Sequence, residues 1–196
     1  MTLVKDQGRE ESADTAPRRK LSERMRSLNA SLFANWRLRS VQSVGKKPRV
    51  YGSIAVNNWG KMRIGDNVQI ISDISTVELS TFLDGKLRIG NHVFINRGTS
   101  IVAVKQVTIG NDCHIGTDVS IMDNSFHRLE PERRNEMPAS QTVTIGDQVW
   151  LGNRVMVMPG VTIGRGSAIG AGSIVTQDIP ERSLAVGIPA KVIRQL

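Results

Sequence analysis

Asp123 and His127 stand four residues apart in the stretch IMDNSFHRLEPERRNEMPASQT, and they are the side chains of this chain best suited to proton transfer. A neutral imidazole within hydrogen-bond reach takes the proton of a hydroxyl as that oxygen attacks an electrophilic carbonyl. A carboxylate on the second ring nitrogen would fix the tautomer that does so; Asp123 fits that part, with Glu130 or Glu132 as less suited substitutes. Ser125 is a weak nucleophile candidate, because its position matches a small inward residue. Taken alone, His127 reads as an ordinary exposed loop histidine. Cys113, the one cysteine, falls on a small inward position and reads as a buried thiol in preference to a nucleophile. His92, Asn96 and His114 fall at outward positions, where a solvated polar residue is the default.

What positions these residues is a repeat with a period of six. Ile145, Leu151, Val157, Ile163, Ile169 and Val175 keep that spacing, and four residues after each comes Val149, Val155, Val161, Ser167, Ser173 or Ile179. A helix repeats at 3.6 and an ordinary strand at 2, so neither explains six. A solenoid of short parallel strands does, each unit forming one flat side with Gly or Asn at its corner, where positive φ is cheap. The beat recurs at Ile64 and Ile70, at Ile89, Ile95 and Ile101, and at Ile109, Ile115 and Ile121. The phrase "aliphatic, any residue, Ile, Gly" begins at Met62, Leu87, Val107, Val143 and Val161, spaced 25, 20, 36 and 18. Eighteen is one three-sided coil, and the surplus residues leave the stack as loops. The spacing predicts first coils over Val50 to Thr76 with corners at Asn57, Asn58 and Gly60, and a loop at Glu78 to Lys86. It also predicts a long excursion at about 128–142. An excursion of that length is uncommon in a compact stack unless it has a function.

The repeat, the Asp123-x-x-x-His127 motif, the loop with Pro and Arg, and the Ile145 to Gly152 coil together resemble the hexapeptide-repeat acyltransferases of sugar O-acetyltransferase type. The resemblance covers roughly Val50 to Ile193. It implies an all-β solenoid, a left-handed parallel β-helix; the handedness comes from the resemblance and is the exception among parallel crossovers. It maps His127 onto the family's catalytic histidine and implies direct transfer from acetyl-CoA to a saccharide hydroxyl. The motif's middle, Asn124-Ser125-Phe126, departs from relatives that carry another acidic residue or histidine there, and leaves acceptor choice open. Asn124, Ser125 and Trp150 are expected to line the substrate; for Trp150 a subunit contact is an equal alternative. Gly152, Ala171, Gly172 and Ser173 would keep a surface narrow enough for a pantetheine arm. Lys191 and Arg194, in the closing phrase Val186 to Arg194, would meet coenzyme phosphates. Plain turn glycines and a plain end cap are nearly as good readings. Relatives form trimers with each site between subunits, which implies a homotrimer here.

Two rival functions remain open: a zinc-dependent hydrolyase of carbonic anhydrase type on the same fold, and an N-acetyltransferase of amino sugars. Against the first, His92, His114 and His127 lie 22 and 13 residues apart, without the closely spaced pair expected around zinc, so no metal is expected. A noncatalytic scaffold is a third alternative, and a serine acetyltransferase is disfavoured because that family's large helical N-terminal domain is missing.

The net charge of +8 is concentrated in the first 50 residues, with 12 Lys and Arg against 5 Asp and Glu. Residues 1–49 read as a basic extension, expected to be disordered over Met1 to Pro17 and then helical, with Leu21, Met25, Leu28 and Leu32 on one face among Arg18, Arg19, Lys20, Arg24 and Arg26. That face is expected to cap the first coil of the domain at 50–196. Its alternative is a peripheral contact with anionic lipid or a membrane-bound partner enzyme through residues 18–39. Nucleic acid is set aside, for want of an aromatic platform or recognisable module. No membrane span or signal segment is seen, and a cytoplasmic setting is expected.

Overall fold

The computed structural model describes residues 25–196. The six-residue beat winds the chain into a three-sided prism of about seven turns, a left-handed parallel β-helix. Side one is a six-stranded parallel sheet of Ser43–Val44, Lys61–Ile64, Lys86–Ile89, Gln106–Ile109, Val143–Ile145 and Thr162–Ile163. Sides two and three form a single 12-stranded sheet, because Arg49–Asn58 and Gln69–Thr81 run round the corner between them. Side two continues through Phe94–Ile95, His114–Ile115, Trp150–Leu151 and Ala168–Ile169 to a closing antiparallel hairpin, Ser183–Gly187 and Ala190–Gln195. Side three continues through Ser100–Ala103, Ser120–Met122, Met156–Val157 and Ile174–Val175.

The beat is now a set of columns. Ile64, Ile89, Ile109, Ile145 and Ile163 stack in register inside side one. Ile70, Ile95, Ile115, Leu151 and Ile169 do so inside side two, and Leu79, Ile101, Ile121, Val157 and Val175 inside side three. All are buried, each contributing on the order of 2 kcal/mol of transfer free energy.

Positive φ accounts for the corner glycines Gly98 (69°), Gly160 (86°), Gly166 (69°) and Gly172 (73°), as expected, but not for all of them. At the corner between sides one and two, the left-handed φ belongs to the third residue: Asn67 (56°), His92 (56°), Asp112 (56°) and Gln148 (59°). The first residue is Gly because the next coil lies directly on it: a β-carbon on Gly90 would sit 2.5 Å from the Gly110 carbonyl oxygen. The middle residue is Asp or Asn because its side chain caps the coil beneath, as Asn91 does for the Asp66 N–H (2.8 Å) and Asp147 for the Asn111 N–H (2.7 Å).

Three boundaries move. The stack starts at Ser43–Val44, paired with Arg63 and Ile64, because Leu38 and Val44 already keep the six-residue beat ahead of Val50. Asn57 and Asn58 belong to a strand and are not corner residues. The extra residues of the second coil are split between two corners, since Ile70 to Leu79 spans nine residues and Leu79 to Ile89 ten, and Glu78 to Thr81 stay in the sheet.

The helical extension also packs differently. Residues 25–32 and Ala34–Arg37 are helical, and they cover the first coil through Ala30 and Ala34, whose small side chains let the backbone approach closely, with Leu38 buried just after the helix. Met25, Leu28 and Leu32 face outward with Phe33 and Trp36. Arg37 donates to the Val50 carbonyl (2.9 Å) and Arg26 pairs with Asp73. Residues 1–17, Leu21 and the basic residues from Arg18 to Arg24 lie outside the described residues.

Candidate active site

The excursion leaves side three after Met122 and rejoins side one at Val143, at the corner between those sides. Asp123 makes the first turn. Buried completely, its carboxylate accepts from the N–H groups of Val104 (2.8 Å), Lys105 (2.7 Å) and Gln106 (2.6 Å) in the coil beneath. His127 is not among its partners, because its Nδ1 turns to a main-chain carbonyl instead, so the expected Asp123 to His127 contact is not made. Asp123 fastens the root of the excursion instead.

Asn124 is buried as well, donating to the Pro138 carbonyl (2.8 Å) and to Ser140 Oγ (2.7 Å) and accepting from the Phe126 N–H (2.6 Å). It ties the two ends of the loop together and does not line a substrate surface. Ser125 is exposed, not inward, and its hydroxyl donates to the His127 carbonyl (3.2 Å). Phe126 takes a left-handed φ of 63° and lies edge-on to Phe82 at 5.8 Å, which in turn lies edge-on to Trp59 at 5.1 Å.

His127 is exposed, and its Nδ1 lies 2.8 Å from the carbonyl oxygen of Arg134, just past the short 3-10 turn Pro131–Arg133. A carbonyl only accepts, so Nδ1 carries the proton and the lone pair of the neutral ring is on Nε2. A main-chain oxygen thus does what was expected of Asp123, Glu130 or Glu132. The turn that presents Arg134 is held by Glu136, which accepts from Arg133 (2.7 Å) and pairs with Arg128 (3.1 Å). The hydrogen bond from Arg133, with the charge of Arg128 adding to it, holds the Glu136 carboxyl below the usual range.

The other expected site residues lie elsewhere on the prism. Gly152 and Ala171 stack at the corner between sides two and three, the Gly152 N–H donating to Ile169 (2.8 Å). Ala171 and Gly172 edge a hollow of about 480 Å³ with Thr117, Asp118, Asn153 and Arg154. Ser173 is fully buried and accepts from the Gly187 N–H (3.0 Å), so it cannot meet a ligand in that hollow. Trp150 projects from side two between His114 and Ala168, with 59% of its surface exposed. Lys191 and Arg194 are exposed on the closing hairpin, opposite Val186 and Leu184. His92 pairs with Asp112 (3.3 Å), away from His127. Among the described residues no group of three or more His, Cys, Asp or Glu could hold a metal ion. Cys113 is buried, and burial pushes its thiol up to about 11.

Comparison with known proteins bears on the fold and the family. The family model for the bacterial transferase hexapeptide (six repeats) matches residues 142–177. Galactoside O-acetyltransferase of Escherichia coli K12 is 41% identical over 110 residues, 56% of this chain and 54% of that protein. WbbJ of the same strain, provisionally named a lipopolysaccharide biosynthesis O-acetyl transferase, is 34% identical over 149 residues, 71% of this chain and 74% of that protein. The crystal structure of the hexapeptide-repeat acetyltransferase VCA0836 of Vibrio cholerae O1 biovar eltor, complexed with acetyl coenzyme A, superposes with a TM-score of 0.60. It has 25% identity and covers 95% of this chain and 91% of that one. The chain spans about half the length of the galactoside O-acetyltransferase.

Proposed function

The chain belongs to the hexapeptide-repeat transferase family, and on that footing we propose that it transfers an acetyl group from acetyl-CoA to a hydroxyl of a saccharide, with His127 as general base. The observation that carries this is the Nδ1 to Arg134 contact, which puts the lone pair of the neutral ring on Nε2 in the exposed excursion. Nε2 takes the hydroxyl proton as the oxygen attacks the thioester carbonyl. The tetrahedral intermediate collapses with loss of the thiolate, which recovers the proton from the imidazolium, and no acyl-enzyme forms. Within the chain, Asp123 holds the loop from beneath, a positioning part.

The reading includes a homotrimer. His127 stands at the corner of sides three and one, while the hollow edged by Ala171 and Gly172 stands at the corner of sides two and three. One six-residue side, about 20 Å at ~3.3 Å per residue, separates these corners. A neighbouring copy in a ring would bring its hollow to this chain's histidine, and Trp150 to the same contact. Among the described residues, no helix is long and apolar enough to cross a membrane. The exposed Leu32, Phe33 and Trp36 beside Arg37 and Arg39 support peripheral contact with anionic lipid, at the cytoplasmic face.

Thiol release from acetyl-CoA, followed with galactose, glucose and glucosamine as acceptors and with product mass measured, tests the reading. An ester product that needs the sugar is expected. An amide on glucosamine alone would move the assignment to N-acetyl transfer, and no release with any acceptor would remove it.

A further inference from the structure

Side one carries four cations in a block. Lys61 lies directly opposite Lys86, and Arg63 directly opposite Arg88, on adjacent parallel strands. All four point outward around a hollow of about 200 Å³. Strands in a sheet lie about 4.8 Å apart and alternate residues about 6.6 Å, so the block measures roughly 5 by 7 Å. Like charges directly opposite one another destabilise a sheet. Among the described residues none of the four makes an ion pair, and Asp84 at the neighbouring corner pairs with none of them.

The block begins at the corner from which the excursion departs. In successive coils that corner holds Trp59 before Lys61, then Phe82 before Lys86, then Lys105, and then Asp123 and Phe126 at the root of the excursion. Hydrogen bonds stack them in that order: the main-chain N–H of Trp59 donates to the Thr81 carbonyl (3.2 Å), that of Phe82 to Ala103 (2.9 Å) and that of Lys86 to Lys105 (3.0 Å), while the Lys105 N–H donates to the Asp123 carboxylate (2.7 Å). The rings of Trp59, Phe82 and Phe126 form a continuous edge-to-face row ending one residue from His127. Trp59, at the far end, is 68% exposed, a large indole surface standing in water at the corner two residues before Lys61.

Resting on the acetyl-transfer reading, we propose that this corner is the acceptor's binding path and that the acceptor is an anionic saccharide. Its sugar rings lie on Trp59 and the aromatic row, and its phosphate or carboxylate groups are held by Lys61, Arg63, Lys86 and Arg88. A flat aromatic face beside cations suits a pyranose ring, whose C–H face stacks on an indole while its charged substituent reaches the ammonium and guanidinium groups. The cationic block then has a partner that removes its self-repulsion.

The test measures binding of fluorescein-labelled tetragalacturonate to the full chain, beside its methyl ester, which has the same rings without charge. The acid is expected to bind at least about tenfold more tightly than the ester. K61Q/K86Q and R63Q/R88Q should each abolish most of that preference while melting no lower than the parent, because each removes a repulsion. Trp59→Ala should weaken acid and ester alike. Galactose 1-phosphate distinguishes the sources: displacement of the acid at low concentration assigns the block to phosphate, and displacement only by galacturonic acid assigns it to uronate; either upholds the path. Equal binding of acid and ester, or a preference unchanged in both double variants, overturns it. Thiol release from acetyl-CoA by the parent chain, run in parallel with galactose, separates the two readings. Release without charge-selective binding sinks the anionic path alone, and charge-selective binding without release from any sugar sinks the transfer reading while the binding site stands.

Discussion

The Nδ1 of His127 donates to the main-chain carbonyl of Arg134 across 2.8 Å, so the tautomer of the proposed base is set by backbone. No substitution at Arg134 removes that oxygen, and the sensitive position is the ring itself. His127→Ala is expected to lower kcat by roughly 10²- to 10⁴-fold, the range for losing a general base, with the Kd for coenzyme A changed little. Thiol release and calorimetric titration of coenzyme A measure the two quantities. Retained turnover would take His127 out of the chemistry.

Asp123 is expected to act through stability. Replacing it by Ala leaves the N–H groups of Val104, Lys105 and Gln106 without their acceptor at a buried position. At about 1 kcal/mol or more for each unmatched group, the cost is on the order of 3 kcal/mol, read as a lower urea midpoint at unchanged slope. Asp123→Asn keeps one acceptor oxygen and should fall between. Under conditions where each variant is folded, kcat should fall far less than in His127→Ala. A drop in kcat as large as that of His127→Ala, at parental stability, would return Asp123 to the chemistry.

The prism was legible because its signal is burial with a fixed period: every aliphatic residue on the six-residue beat from Ile64 to Val175 points inward. Corners were harder. Gly90 and His92 share one, and composition alone does not say that the glycine is there for contact and the histidine carries the left-handed φ. In the helical stretch Leu28 and Leu32 look like the packing residues, yet against a flat coil end small Ala30 and Ala34 bring more backbone into contact. At the site, the break in the beat pointed to His127, whereas its partner is a carbonyl, which no side-chain pattern marks. Trp59, Phe82 and Phe126 are 23 and 44 residues apart, and only the stacking of coils makes them neighbours. The available signal was that Trp59 and Phe82 each follow the last strand residue of side three, Asn58 and Thr81.

Two glycines should respond to alanine differently, one mainly in stability and the other mainly in donor binding. A β-carbon at Gly90 meets the Gly110 carbonyl oxygen at 2.5 Å and its carbon at 2.6 Å, both main-chain atoms that cannot yield without parting the coils. Gly90→Ala should therefore cost about 1–3 kcal/mol or more, seen in chemical denaturation. Gly172 has nothing within 4 Å of a built β-carbon, and only its φ of +73° opposes the change, at about 1 kcal/mol. Its methyl group would enter the hollow beside Asn153 and Arg154, so Gly172→Ala should raise the KM for acetyl-CoA at nearly parental stability. An unchanged KM would remove that hollow from the donor path.

Cys113 gives a pH dependence whose sign follows from its burial. Desolvation raises the thiol from 9.0 to about 11, outweighing the stabilising contacts of the Val149 and Gln148 N–H groups. The folded chain thus prefers the neutral thiol more strongly than the unfolded chain does. Its contribution to stability is complete below the free thiol's 9.0 and is lost as pH rises from there through about 11. Denaturation midpoints measured from pH 8 to 10.5 should fall for the parent and fall less for Cys113→Ala, after subtraction of each protein's value at pH 8. At pH 7.5 the native thiol should resist iodoacetamide until the chain is unfolded, since the reactive species is the thiolate. Rapid alkylation of the native chain at that pH would place Cys113 outside the core.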